Sequence, residues 1–249
     1  MTHTSSLGFC RHDALLGLPR EYSDRLVAVA RPLVLQDGQI LFRRGDAGDG
    51  CYWLETGTLK VMVASSSGEE RILAVLGPGS IVGELAVLDR LPRSATVVAM
   101  RPSRLLFLSR ADFQESLNQN PSIYQFLVSV MVQRLRQADE EAAASSFLTV
   151  KARVARALLE LASHLGTKTS KADEVLVHTN LRQTDLAALA GAVRESVSRT
   201  LSEWRRSGAV AQPARSTYLI NVKKLSREVV TAEYGRARAD RSSSVSVDR

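Results

Sequence analysis

Cysteine is scarce in this chain: Cys10 and Cys51 are the only two among 249 residues, too few for a disulfide framework or for a four-cysteine iron-sulfur site within one chain. Redox sensing by a cluster is therefore not expected. Long apolar runs are missing as well. No uninterrupted stretch approaches the ~20 residues that cross a bilayer, and Met1 to Ser6 has neither the basic nor the apolar block of a secretory signal. The sequence predicts a cytoplasmic protein with no membrane partner. Catalytic sets are also lacking: the four histidines, His3, His12, His164 and His178, are scattered, and no Cys-His or carboxylate pair stands in a recognisable catalytic pattern, so no enzyme is expected. Cys10 with His12 offers two ligands where structural zinc takes about four, and no metal site is expected.

What is present is unevenly placed. Met1 to Ser146 carries 15 Lys/Arg against 16 Asp/Glu and Phe147 to Arg249 carries 18 against 10, so the net charge of +7 is −1 plus +8. A basic half beside a neutral one implies a polyanion-binding module joined to a regulatory module. Glycine divides the chain in the same way. Nine of the 15 glycines fall between Gly38 and Gly83, and none lies between Glu84 and Leu165. With β-rich runs at Ile40 to Phe42, Tyr52 to Leu54, Leu59 to Val63 and Ile72 to Leu76, and a further pair at Ala95 to Met100 and Arg104 to Ser109, this punctuation predicts short strands in a small β-barrel or roll.

From about Ile123 to Ser146 the period becomes helical. Tyr124, Val128, Met131, Leu135, Ala138 and Ala142 recur at alternating spacings of four and three, a heptad seam that predicts a two-stranded coiled coil between subunits. Ile123, Phe126, Leu127 and Val130 lie off that line and are expected to pack on the roll. Phe147 to Val150 reads as a hinge, Lys151 to Leu165 as a helix capped by Gly166, and Thr167 to Glu174 as a loop. Leu181 to Ala190 and Arg194 to Ser207 then read as two helices around the turn Gly191-Ala192-Val193, sharing a core of Leu186, Leu189, Ala190, Val197, Leu201 and Trp204. That is a helix-turn-helix. Ala209 to Ala211 and Thr217 to Ile220 predict a hairpin wing with Pro213 to Ser216 at its tip, where Arg215 would meet phosphate. The tail after Tyr234 mixes arginine with a serine-rich run and predicts disorder.

Two residue sets carry chemistry. Gly83-Glu84-Leu85-Ala86 is followed, nine residues after the glutamate, by Arg93-Ser94-Ala95-Thr96. Glycine lets backbone N-H groups approach an anion closely, arginine offers a planar fork to phosphate oxygens, and a carboxylate accepts from a sugar hydroxyl. The trio suits a small cyclic phosphate with a ribose; the plainer reading is a surface ion pair between Glu84 and Arg93 beside a glycine turn. With Pro92 to Val97, these residues resemble the phosphate-binding cassette of the cyclic-nucleotide-binding fold, and Gly45-Asp46, Gly57 and Gly77-Pro78-Gly79 resemble landmarks of its β-roll. The second set is Arg194, Glu195, Ser198 and Arg199, on one helical face opposite Val197 and Leu201. Arginine bonds guanine O6 and N7 and glutamate accepts from cytosine N4. The face resembles the recognition helix of the CRP/FNR family of bacterial transcription regulators.

The resemblance implies an α+β chain: an N-terminal cyclic-nucleotide-binding β-roll over 1–120, a central dimerisation helix over 121–146, a C-terminal winged helix-turn-helix over 147–234 and a tail over 235–249. It implies cAMP or cGMP as effector, held by Gly83, Glu84, Leu85, Ala86, Arg93 and Ser94 with Ala138 and Asp139 from the central helix. It also implies a palindromic duplex read by a homodimer through Arg194, Glu195, Ser198 and Arg199 with Gln183, Thr184 and Arg215, and RNA polymerase as a further partner. Two departures stand out. Where cAMP-responsive members place a Thr-Ser pair against adenine, this chain has Ala138 and Asp139; alanine makes no side-chain bond and an ionised aspartate only accepts, so cAMP, cGMP or neither stays open. The helix at Gln183 also lacks the Ser or Thr cap that often precedes it, so Asn180 is expected to cap one turn earlier or the helix to fray. A signal-binding module alone would have no use for the basic helix pair. A regulator that binds DNA without a nucleotide, its cassette kept as a Glu84-Arg93 ion pair, is the closer alternative.

Overall fold

The computed structural model describes residues 28–119, 121–178, 181–214 and 217–232. They form two compact units that meet at Gln137 and Ala138, inside one long helix. Asn180, Arg215 and the tail after Tyr234 lie outside the described residues.

The first unit is a roll of eight antiparallel strands in two four-stranded sheets. Strands β1 (Arg31–Leu35), β8 (Ser103–Ser109), β3 (Gly50–Thr56) and β6 (Ile81–Val82) pair in that order, and β2 (Ile40–Phe42), β7 (Thr96–Ala99), β4 (Leu59–Ala64) and β5 (Glu70–Leu76) form the other sheet. Alternate residues point inward, as in β7, where Val97 and Ala99 are buried and Thr96 and Val98 are not. Leu35, Phe42, Leu54, Leu59, Leu76, Val82, Val97, Ala99 and Leu105 fill the core. Two strands escaped the sequence pattern for physical reasons. Strand β1 contains Pro32, tolerated because the strand lies at a sheet edge and pairs only with β8, and β6 is two residues long.

Helix α1 (Glu84–Leu88) follows β6, and α2 (Arg110–Gln119) and α3 (Pro121–Phe147) follow β8. A second cluster joins Cys51, Ile81 and Leu108 of the roll to Phe113 and Leu117 of α2 and to Ile123, Leu127 and Val130 of α3, with Phe126 packed beside them. The off-seam residues therefore lie on the roll as expected. Of the seam residues in this unit, Tyr124, Val128 and Leu135 are exposed. Met131, on the same seam line, is half-buried and also packs against the roll cluster, with Leu127 four residues before it on the helix surface.

In the second unit α4 (Val150–Leu165) opens at Thr149, whose hydroxyl accepts from the Ala152 N-H at 3.2 Å. That cap leaves only Leu148 and Thr149 between α3 and α4 where a longer hinge was expected. Helix α5 (Gln183–Ala190) turns at Gly191 and Val193 into α6 (Arg194–Ser207). The six expected core residues of this pair are all buried, from Val197 and Leu201 at 0% to Leu189 at 9%. No Ser or Thr oxygen caps the helix, but Asp185 makes the reciprocal bond of a capping box, accepting from the Arg182 backbone N-H at 2.9 Å. Strands β11 (Val210–Ala214) and β12 (Thr217–Asn221) make the hairpin wing.

The expected loop, Thr167 to Glu174, is shorter than that reading, because two further strands, β9 (Gly166–Lys168) and β10 (Glu174–His178), take its ends, and the sheet order is β11-β12-β10-β9. A last helix over 222–232 buries Leu225. Gly166 is thus no left-handed cap; its backbone is extended, with φ −80°, and it starts β9. Glycine is needed there for space, since a Cβ would overlap the Ala162 carbonyl oxygen and Val175 Cγ1. Gly166→Ala should lower the urea midpoint by the equivalent of about 1–3 kcal/mol, the cost of an overpacked contact; an unchanged midpoint would show that α4 and β10 can part at no cost.

Candidate functional site

The cassette is built where β6 runs into α1. Gly83 has φ 83°, left-handed, and a Cβ there would come 2.5 Å from Arg93 Nη1. Dihedral and space both demand glycine. Arg93, 3% exposed, donates from Nη1 to the Gly50 and Gly83 carbonyls at 2.7 Å each, and from Nη2 to Asp49 Oδ1 at 3.1 Å. Its guanidinium carbon lies 4.4 Å from the Phe42 ring centroid and 5.7 Å from that of Tyr52, so two aromatic faces hold the plane. Ala86 is buried against Gly48, and Arg110 donates to the carbonyls of both. Leu85 and Ser94 are exposed.

Glu84, 1% exposed, does not pair with Arg93. Its carboxylate is taken by Arg134 of α3, whose Nη2 also donates to the Ile81 carbonyl at 2.8 Å. The Glu84-Arg93 ion pair of the plainer reading does not form, because carbonyls and Asp49 already occupy the Arg93 fork, while α3 supplies a second guanidinium. Burial pushes the Glu84 carboxyl pKa up, and Arg134 pulls it back. Burial, with Glu84 adding, likewise pushes the Cys51 thiol up to about 12, so that cysteine is a neutral packing residue. Glu84 Oε2, Arg93 Nε and Ser80 Oγ have no hydrogen-bond partner among the described residues. Such buried, unfilled capacity costs about 1–3 kcal/mol per group, and it fits a ligand carrying both a hydroxyl and an anion.

In the second unit, Gln183, Arg194, Glu195, Ser198 and Arg199 line one open groove of about 520 Å³, joined by Ser202. The first residue of α5 and the first turns of α6 are thus gathered. Thr184 is exposed but does not line the groove. Ala138 and Asp139 are exposed positions of α3, as is Ala142.

Arg134 and Ser202 were not foreseen as site residues. The signal for Arg134 lies in its spacing: Ile123, Leu127, Val130 and Arg134 run at steps of four, three and four, so the arginine continues the roll-facing line of α3. Arg134→Met leaves the Glu84 carboxylate buried without its cation and should cost about 3–5 kcal/mol at neutral pH. Because the raised pKa means that the folded state holds a proton the unfolded chain has released, stability falls as pH rises above the ordinary glutamate range. The variant should therefore lose stability more steeply than wild type as pH rises above the ordinary glutamate range, and adding Glu84→Gln should remove the difference. Parallel curves of urea midpoint against pH for Arg134→Met and wild type would count against the pair.

The cyclic nucleotide-binding domain family matches residues 32–120, and the Crp-like helix-turn-helix domain family matches residues 152–228. The chain is 35% identical over 195 residues to the Cyclic AMP receptor protein of Thermus thermophilus, covering 78% of this chain and 86% of that protein. It is 29% identical over 197 residues to the CRP-like cAMP-activated global transcriptional regulator of Mycobacterium tuberculosis, covering 79% and 87%. Among solved structures, the c-di-GMP responsive global regulator CLP of Xanthomonas campestris shares the fold, with TM-score 0.72 over 82% of this chain and 99% of that one at 20% identity. With both domains matched in this order and a relative this similar over most of its length, the chain belongs to the CRP/FNR family of transcription regulators, a cyclic-nucleotide-binding domain ahead of a helix-turn-helix DNA-binding domain.

Proposed function

We propose that this regulator acts as a cytoplasmic homodimer whose grip on a palindromic duplex is set by a cyclic nucleotide, cAMP or cGMP. The observation that carries the reading is the pair of buried, partly unfilled groups at the cassette, Glu84 Oε2 and Arg93 Nε. Phosphate oxygens take the guanidinium and the ribose hydroxyl donates to Glu84, with Gly83, Leu85, Ala86 and Ser94 shaping the cradle. The two curated relatives are named for cAMP, which makes it the first ligand to titrate. Asp139 accepts from a purine amino group in this reading, while Ala138 leaves room for the base.

A hydroxyl arriving at Glu84 changes what Arg134 holds, and Arg134 belongs to α3. The ligand thereby biases α3 through its differential affinity for two arrangements. Tyr124, Val128 and Leu135, apolar and exposed along α3, supply the seam for a second copy, with Ala138 and Ala142 continuing it. The dimer then sets two α6 helices against successive major grooves about 34 Å apart. Arg194 and Arg199 read guanine, Glu195 reads cytosine, Ser198 and Gln183 flank them, and Thr184 and the wing arginine Arg215 bond phosphate. RNA polymerase is the downstream partner. One observation favours a second reading, regulation without a nucleotide: Gly50, Gly83 and Asp49 already engage both Nη atoms of Arg93.

Calorimetric titration separates the two. Because Arg93 also ties Gly50 and Gly83 together, Arg93→Lys is a cleaner probe than alanine; it keeps the charge and removes the fork, and should weaken cAMP binding at least about tenfold, the loss of one charge-assisted bond. Equal affinity in both proteins, or heat from neither, hands the case to the nucleotide-free reading.

For DNA, a selection from random duplexes should enrich a two-fold-symmetric site with half-sites about one helical turn apart. Arg194→Ala should lose about 1–3 kcal/mol on that site and relax one base position per half-site. If the variant reads the same palindrome with unchanged preference, another face of the unit enters the groove.

A further inference from the structure

We propose that Arg153 is a positioning residue that couples the long helix α3 to the DNA-reading turn by bonding the C-terminal ends of two helices with one guanidinium. This rests on the reading that α6 enters the groove. Arg153 lies in the first turn of α4. Its Nε donates to the Ala190 carbonyl, its Nη2 to the Gly191 carbonyl and its Nη1 to the Ser145 carbonyl, each at 3.1 Å. Ala190 ends α5, and Gly191 is its left-handed cap, the start of the turn into α6. Ser145 belongs to the last turn of α3.

Carbonyls at a helix C-terminus have no partner within their own helix and carry the negative end of its dipole. A cation there is stabilising, but serving two separate helix ends at once needs several donors in a fixed plane. Arginine has five; a lysine ammonium is a point donor. A second arginine strengthens one side only: Arg156, buried and three residues on, holds Glu141 Oε1 at 2.8 Å and the Glu140 carbonyl at 3.3 Å. The end of α3 is therefore pinned to α4 twice. Arg153 is the point where the same fork also takes the turn, so a shift of α3 against α4 must carry the Ala190 and Gly191 carbonyls with it or break those bonds. That turn sets where α6 begins, and Arg194 and Glu195 are its first two residues.

The test is hydrogen-deuterium exchange on the full chain, with and without the selected duplex. In wild type the duplex should slow exchange in the first turns of α6 and change it at least about fivefold in residues 140–147 of α3, the low end of ordinary site-to-site coupling. Arg153→Met and Arg153→Lys should keep the α6 protection and lose the α3 response. Melting curves establish which variants are folded. Should Arg153→Met unfold, Arg153→Lys decides, since it keeps the charge without the fork. An α3 response that persists in Arg153→Lys, or that is absent from wild type, overturns the coupling. A duplex that binds wild type without slowing α6 overturns instead the DNA reading and the purpose of the coupling with it. Duplex affinity unaltered by cAMP in wild type would overturn only the nucleotide reading, leaving the exchange result to decide the role of Arg153.

Discussion

Taking a carboxylate out of water costs several kcal/mol unless a cation comes with it, and the first unit is organised around meeting that cost for Glu84. The cation comes from α3, so the cassette cannot keep its glutamate buried unless the helix lies on the roll. Ile123, Leu127 and Val130 supply the apolar contact that brings the helix there, and Arg134 completes the same line with a charge. The ion pair is thus less an ornament of the pocket than the reason the pocket and the long helix form one unit. Arg93 is held by other means, two carbonyls, Asp49 and two aromatic faces. Glu84 and Arg93 therefore sit side by side without neutralising each other, as a site for a ligand with both a donor and an anion requires.

Much of this was legible in the residues. Glycine spacing marked the roll, and the change to a helical period from about Ile123 marked the long helix. The charge split marked the division of labour, and the two motifs marked where chemistry collects. What could not be read follows from long-range pairing. Nothing local says that Gly166 to Lys168 and Glu174 to His178 become strands, since their short hairpin is completed by the pairing of β10 with β12, about 40 residues away in sequence. Partner choice was equally hidden. Spacing placed Glu84 and Arg93 in one loop, but which cation each carboxylate takes depends on the roll-facing side of α3. Asp185 shows the same limit at short range: the start of the helix looked weak, and a carboxylate three residues after Arg182 takes the backbone N-H there.

The second unit works by gathering rather than burying. Its groove is polar and open, and behind it lie Val197, Leu201 and Trp204 without access to solvent, a left-handed glycine at the turn, and a small four-stranded sheet that includes the wing. In the DNA reading proposed above, a rigid back with a wet front lets a few side chains discriminate between base edges while water fills the remainder.

The unbroken run of α3 from Pro121 to Phe147 has a consequence for how such a chain can vary. Its two anchored positions, Arg134 at the cassette and Ser145 under the Arg153 fork, are 11 residues apart, which at ~3.6 residues per turn is close to three whole turns. Both anchors therefore share nearly one side of the rod. Gaining or losing a single residue between them would swing that side by about 100°, whereas a change by a full turn would preserve phase and alter only reach. The phase of the helix between these two residues, more than its composition, is therefore what each anchoring contact depends on.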